Sequence, residues 1–362
     1  MNIGVFSDRG ILNLIDMGVI YSDDKIDKKN QIQPSSFDLR VSNEVYGVPF
    51  SSFPKKGVKL KDYFEKIKNY KFNLSEGGFL HKGQVYVLKL KESLNLPSHI
   101  SARVNPKSST GRIDVHVRLV GENCESFDNI PAGYKGDLWL EIFPRTFDVI
   151  VREDLCLNQI RFYDVGTKPL DESEIRCLHR DCFVLLIDDK PLSENFISGL
   201  IRERHGIDVT VNLNGDCVGY IAKKNAPVID MTKRDLPMSL YFDEIGGKGF
   251  LVVDKDSFYI LASNEVVHIP ESTCSEMLDV NTGTGEFRSH YAGFFDPGWN
   301  TIAVLELRNY GQPFLLRHGQ RVAGFDFFRL KDIPLVKYGE ARGSHYHKQK
   351  GPRLAKFFDM NK

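Results

Sequence analysis

Three stretches of this sequence carry side chains able to do chemistry. The first, Asn105-Pro-Lys-Ser-Ser-Thr-Gly-Arg112, sets Ser108 and Ser109 between the fixed charges of Lys107 and Arg112, just after a proline. Clustered amides, hydroxyls and cations where a helical turn begins form a cradle for an anion such as phosphate. The same composition also describes an ordinary solvated loop, and the Gly-x4-Gly-Lys-Ser/Thr spacing of a Walker loop is missing. The second stretch runs from Tyr291 through Ala292 and Asp296-Pro-Gly298 to Glu306, which lies among Ala303, Val304, Leu305 and Leu307. A carboxylate on an apolar strand is costly unless paired or functional, and desolvation raises its pKa toward the working range of a general base. The bland alternative is a glutamate on the solvent face of a half-exposed strand. The third stretch, Tyr338 to Gly351, is basic, punctuated by glycine and nearly free of aliphatic residues. Such a tail is either disordered or a lid that orders over an anionic ligand.

The elements that must position these groups follow from an internal repeat. Tyr86-Val-Leu-Lys-Leu-Lys-Glu-Ser-Leu-Asn-Leu-Pro97 returns as Tyr259-Ile-Leu-Ala-Ser-Asn-Glu-Val-Val-His-Ile-Pro270, each preceded by Gly-Phe-Leu. Gly133 to Ile142 is echoed by Gly298 to Leu307. At the same offset, Val151-Arg152 and Ile160 to Tyr163 line up with Leu316-Arg317 and Phe325 to Phe328. Two halves follow, at 1–165 and 195–362, with 166–194 expected as a charged linker. Each half reads as short β-branched or aromatic strands separated by turn residues. The clearest of the few helices starts at Ser7, puts Ile11, Leu12 and Ile15 on one face and stops by Gly18. The expected fold is mainly β: two tandem barrels, jelly-roll-like, with few short helices.

Composition narrows the function classes. Among 362 residues, 48 Lys+Arg balance 48 Asp+Glu, which argues against nucleic-acid binding by bulk charge. No apolar run approaches the ~18–20 residues that cross a bilayer, so no membrane partner is expected. The amino terminus lacks a secretory pattern, and the six cysteines form no CxxC pair, as expected of a cytoplasmic protein. The H-x-E and P-C-x-x-C signatures of zinc deaminases are missing, so no zinc is expected. His179-Arg180-Asp181 mimics a kinase tripeptide but lacks the asparagine and the D-F-G that should follow.

Taken together, the motifs resemble the dCTP deaminases, relatives of the trimeric dUTPases, over both halves. Gln33-Pro-Ser-Ser-Phe-Asp-Leu-Arg40 resembles the family's amino-terminal block, and Lys107 to Arg112 its triphosphate-binding Arg-Ser-Ser-x-x-Arg loop. Ala292 to Glu306 resembles the A-x-x-x-D-P-G…L-E segment, and Tyr338, Gln349 and Gly351 match the closing tail. His345 stands where the family usually has lysine, with Arg342 or Lys348 as replacements. The resemblance implies dUTPase-like barrels and zinc-independent hydrolysis of dCTP to dUTP and ammonia, which supplies dUTP and dUMP for thymidylate synthesis. Glu306 is then the proton shuttle, the Ala292 carbonyl and Ser108 hydroxyl hold water, and Arg112 stabilises developing charge. Asp296 binds the 3′-hydroxyl, and Val304, Leu305, Tyr338 and His345 contact the nucleotide. Lys107, Ser108, Ser109 and Gln349 hold the triphosphate with Mg²⁺. The family further implies a homo-oligomer and dTTP as inhibitor. The alternatives are a bifunctional enzyme that goes on to dUMP and pyrophosphate, and a non-catalytic nucleotide sensor.

The halves have decayed in complementary ways. Val280 to Gly285 replaces the Ser and Arg of the first-half loop, while Pro131 stands where the second half has Asp296. One complete site per chain is expected, built by Lys107 to Arg112 against Ala292 to Glu306. Glu141 is left in a silent counterpart.

Overall fold

The computed structural model describes residues 3–202, 206–278, 287–288, 292–339, 341 and 343–360. It is mainly β, with barrel-like sheets and short helices, and the repeat is one of geometry as well as sequence. Val85–Asn95 and Phe258–His268 occupy equivalent places, paired antiparallel with Lys135–Pro144 and Asn300–Asn309. Each pairing slips at the same point, between Lys89 and Ser93 in one and between Ala262 and Val266 in the other. Such irregularities bend a strand and sharpen its twist, so matching ones give both halves the same curvature. The repeated tyrosine does one job twice. The Tyr86 hydroxyl accepts the His81 amide at 2.8 Å, and the Tyr259 hydroxyl accepts that of Asp254 at 2.9 Å, each tying down the turn into its strand.

The first helix, Asp8–Asp16, is capped by Ser7, whose Oγ accepts the Arg9 amide at 3.2 Å. Ile11 and Leu14 are buried, Leu12 and Ile15 partly so, and Gly18 takes φ +67° just past its end. No helix among the described residues is long and apolar enough to cross a membrane.

The stretch 166–194 is a wall of the second half and not a free linker. Helix Glu172–Cys182 opens with a capping box at Asp171, and strand Leu185–Ile187 pairs with Val266 and Val267. Leu170, Ile175 and Leu185 sink into the second core, so the charges that suggested a linker are the solvated face of an amphipathic helix.

The halves also share a core. Tyr220, Phe242, Phe258, Ile260 and Val304 of the second half are buried among first-half residues such as Phe147 and Leu88. Val149–Val151 of the first half pairs in parallel with Ile229–Asp230, which lies on the connection between two second-half strands. Ile260 faces both Tyr220 and Glu306 across its neighbours, and the equivalent Val87 faces Tyr46 and Glu141. The second-half row docks on the first half. In the first-half row, Tyr46, Val87 and Trp139 are covered by residues from 49–68, whose helix Leu60–Ile67 adds Leu60 and Phe64.

Candidate active site

Strand Ile100–Pro106 ends at proline, which cannot extend a ladder with an N–H, and the chain turns into the single helical turn Ser108–Gly111. The Lys107 amide is fixed to the Leu157 carbonyl at 2.9 Å, and the Arg112 amide to that of Ser108 at 3.1 Å. A buried ion pair then locks this loop to the second half. Arg308 donates from Nε to Asp114 Oδ2 at 3.0 Å, and Thr146 also bonds both residues. Arg308 lies two residues past Glu306, and Asp114 two past Arg112, so the pair sets the loop's register against the Asn300–Asn309 strand.

Glu306 is only 2% exposed on that strand. The Ala292 amide donates to its Oε2 at 2.9 Å, and its carboxyl presses against Gly111. A β-carbon on Gly111 would lie 2.6 Å from the Glu306 carboxyl carbon, so any other residue there would have to push that carboxyl aside. Strand alternation turns Val304 to the same side as Glu306 and Leu305 to the other. The Leu305 side chain is fully buried in the second core, which leaves only its main chain for any nucleotide contact.

Asp296 opens the Asp-Pro-Gly turn, which the Trp299 amide closes on the Asp296 carbonyl at 3.1 Å with Gly298 at φ +89°. Its Oδ1 accepts Ser35 Oγ at 2.6 Å and lies 3.6 Å from Arg161. Arg161 is wholly buried. It donates to the carbonyls of Ser35, Ser275 and Phe295 and stacks 4.1 Å over Phe294. In the first half the same turn persists at Pro131 to Gly133, with Gly133 at φ +76°, but the carboxylate is gone.

The tail is folded into this centre. Tyr338 packs on Trp299, ring centroids 5.0 Å apart. Gln349 donates to the Ile302 carbonyl at 2.9 Å and accepts from Arg112 at 3.3 Å. The Arg112 guanidinium lies 3.7 Å over the Tyr346 ring and donates to the Arg353 carbonyl, and its Nε has no hydrogen-bond partner among the described residues. The Tyr346 hydroxyl bonds Ser109 Oγ at 2.7 Å and accepts the Lys356 amide at 3.2 Å.

Between the halves lies a cleft of about 380 Å³, lined by Lys107, Ser108, Ser109, Asp296, Tyr338 and His345. Glu306, Arg112 and Gln349 form a buried layer behind it. Lys107 pairs with Asp38. His345 is held down to about 4 by partial burial and then by Arg353, Lys356, Arg112 and Arg234, so it is neutral near pH 7. Arg342, Tyr291 and the loop Val280 to Gly285 lie outside the described residues, and Lys348 is exposed and off the cleft lining.

Sequence reasoning missed Ser35, Asn105, Arg161, Tyr346 and Lys356. Asn105 accepts the Gly293 amide and so ties the Ala292 segment to the first half. One signal was present for Arg161: the repeat puts Asp326 at its position, a reversal of charge inside a strand.

The Glu141 counterpart differs in what covers it. Glu141 accepts Ser51 Oγ at 3.0 Å from the 49–68 segment, and burial pushes its carboxyl above the usual range.

Residues 2–166 match the N-terminal domain of the 2′-deoxycytidine 5′-triphosphate deaminase family, and residues 173–358 match its C-terminal domain. The crystal structure of 2′-deoxycytidine 5′-triphosphate deaminase from Agrobacterium tumefaciens is 36% identical, with a TM-score of 0.83, over 91% of this chain and 100% of that one. A dCTP deaminase, dUMP-forming, from Methanothermobacter thermautotrophicus is 34% identical over 38% of this chain and 67% of its own length. A dCTP deaminase from Haloarcula marismortui is 27% identical over 46% of this chain and 83% of its own.

Proposed function

The chain belongs to the dCTP deaminase family, and from that premise we propose how it hydrolyses dCTP to dUTP and ammonia at one composite site. Glu306 takes a proton from the attacking water as oxygen bonds to cytosine C4. It passes that proton to N3, then takes the remaining proton from the new C4 hydroxyl and gives it to the amine, so that C4=O forms as the C4–N bond breaks and ammonia leaves. The Ala292 amide holds the Glu306 carboxylate in place, and the Ala292 carbonyl with the Ser108 hydroxyl orients the water. Arg112, fixed by Tyr346 and Gln349, is a preorganised cation for the charge that develops. Asp296, oriented by Ser35 and Arg161, takes the 3′-hydroxyl, while Tyr338 and the backbone beside Val304 and Leu305 flank the nucleoside. Lys107, Ser108, Ser109 and Gln349 hold the triphosphate.

The observation that carries this reading is the seating of Glu306 against Gly111, an acid of one half set into the phosphate loop of the other. Glu306 is almost inaccessible with the tail folded in, so the tail must open for the pyrimidine to enter and close over it. Mg²⁺ accompanies the nucleotide in this proposal. Among the described residues no three His, Cys, Asp or Glu side chains converge as a ligand set. Cations line the cleft, so these residues fit Mg²⁺ as an ion carried on phosphate oxygens, where it screens their charge. Feedback by dTTP, a homo-oligomeric state and a cytoplasmic location belong to the same proposal.

Ammonia release measured across dCTP, CTP, dCMP and dUTP tests it: release from dCTP alone is expected, and nucleotide binding without release would make the chain a sensor. A second reading, hydrolysis onward to dUMP and pyrophosphate, draws on the dUMP-forming relative from Methanothermobacter thermautotrophicus. Pyrophosphate in the products distinguishes it.

A further inference from the structure

Lys356 is a partly buried cation at the edge of the cleft. It makes no ion pair among the described residues, yet its side chain lines the cleft beside Lys107 and Ser109. It is not a mobile surface lysine. Leu354 and Ala355 before it and Phe357 and Phe358 after it are buried in the first core, and Phe358–Asp359 pairs in parallel with Leu236–Pro237. Its own amide is bonded to Tyr346. The backbone is therefore pinned on both sides, and the ammonium is held toward the cleft.

The surroundings make that position unfavourable for an ammonium on its own. Lys107 and Arg234 border an adjoining cavity that Lys356 also lines, and of the two acids there Asp38 is already engaged by Lys107 and Asp154 by Lys91. Burial first, and then repulsion from Lys107 and Arg234, lowers Lys356 to about 8. A positive side chain fixed among positive neighbours is stabilised when an anion enters. His345 is neutral and cannot supply the charge that its position usually contributes.

We propose that Lys356, flanked by Lys107 and by Arg234 from the connection that crosses between the halves, forms a subsite for the terminal phosphates of the nucleoside triphosphate. The proposal rests on the dCTP reading above and adds to it a lysine beyond the closing-tail motif, and an arginine from outside both site-forming loops.

The test is a pair of variants, Lys356→Met and Lys356→Arg, assayed in the full chain for dCTP deamination and for displacement of dCTP by inorganic tripolyphosphate. Lys356→Met keeps the unbranched stem to within one atom and the backbone amide's hydrogen bond to Tyr346. It is expected to raise KM for dCTP about tenfold with kcat within about threefold, and to weaken tripolyphosphate by a similar factor, as loss of a charge-assisted contact does. Lys356→Arg should restore most of both. Arg234→Gln, on an exposed residue whose guanidinium lies over the Phe357 ring, should shift KM in the same direction by a smaller factor. Unchanged KM and tripolyphosphate affinity in Lys356→Met would overturn the subsite, as would a fall in kcat with KM intact. The two readings fail separately. If the native chain releases no ammonia but Lys356→Met still loses tripolyphosphate, directly titrated, the subsite stands and the substrate assignment falls.

Discussion

Gly111 and Glu306 are 195 residues apart in sequence, yet the carboxyl group of one occupies the space where a side chain of the other would begin. The loop from Lys107 to Arg112 thus forms part of the floor on which the acid rests. Gly111→Ala would place a methyl 2.6 Å from the Glu306 carboxyl carbon and force the acid off its bond to Ala292. Because displacements of about 1 Å can cost on the order of a hundredfold in rate, kcat should fall by roughly that factor. Circular dichroism should still report a folded chain. A kcat within twofold of the native value would show that Glu306 does not need this seat.

The two repeat-related acids should respond differently to the same substitution. Glu306→Gln keeps the shape and removes the base, so turnover should drop at least about a thousandfold while dCTP still binds in equilibrium titration. Glu141→Gln should leave the rate within about twofold, because Ser51 and the 49–68 segment already cover that carboxyl. Equal losses from both would overturn the one-site reading.

How far the sequence reveals this arrangement depends on which residues carry it. The strand plan was legible because Tyr86 and Tyr259 recur with their flanking blocks, and in the structure each closes the same turn. The pairing of Lys107 to Arg112 with Ala292 to Glu306 was legible because each half lost what the other kept. Arg161 was not, since an arginine in the strand Cys156–Asp164 gains its role from carbonyls of Ser35, Ser275 and Phe295, contacts made only by the fold. The 166–194 stretch was misread because charge count reports the exposed face of a helix, while Ile175 and His179 carry its buried one. Lys356 lies between two apolar pairs and gives no local sign that it borders a cleft.

The Asp114–Arg308 pair makes a prediction about stability and register together. Both side chains are buried, at 0% and 7% exposure, so removing one leaves the other's charge without its partner. Arg308→Met should destabilise the fold by about 3–5 kcal/mol, read from urea unfolding. The double variant with Asp114→Asn should recover part of that loss. If the pair also sets the loop against the Asn300–Asn309 strand, kcat in the double variant stays low although stability returns. Full recovery of rate would confine the pair to a structural role.

Lys356 adds a pH dependence whose direction is fixed by its surroundings. Burial is the largest influence on it; Lys107 and Arg234 lower it and Asp38 and Cys156 pull the other way, while Asp154 borders the same cavity and His345 the cleft. Held near 8 in the free protein, it is charged below that pH and neutral above it. Affinity for the phosphates should therefore be full at pH 7, and kcat/KM should decline as pH rises through about 8. Because the ammonium acts on binding and hardly on turnover, kcat should show no matching limb. Lys356→Met should flatten the kcat/KM limb, leaving a uniformly raised KM across the range. A limb that persists unchanged in Lys356→Met would assign the titration to another group and remove Lys356 from phosphate binding.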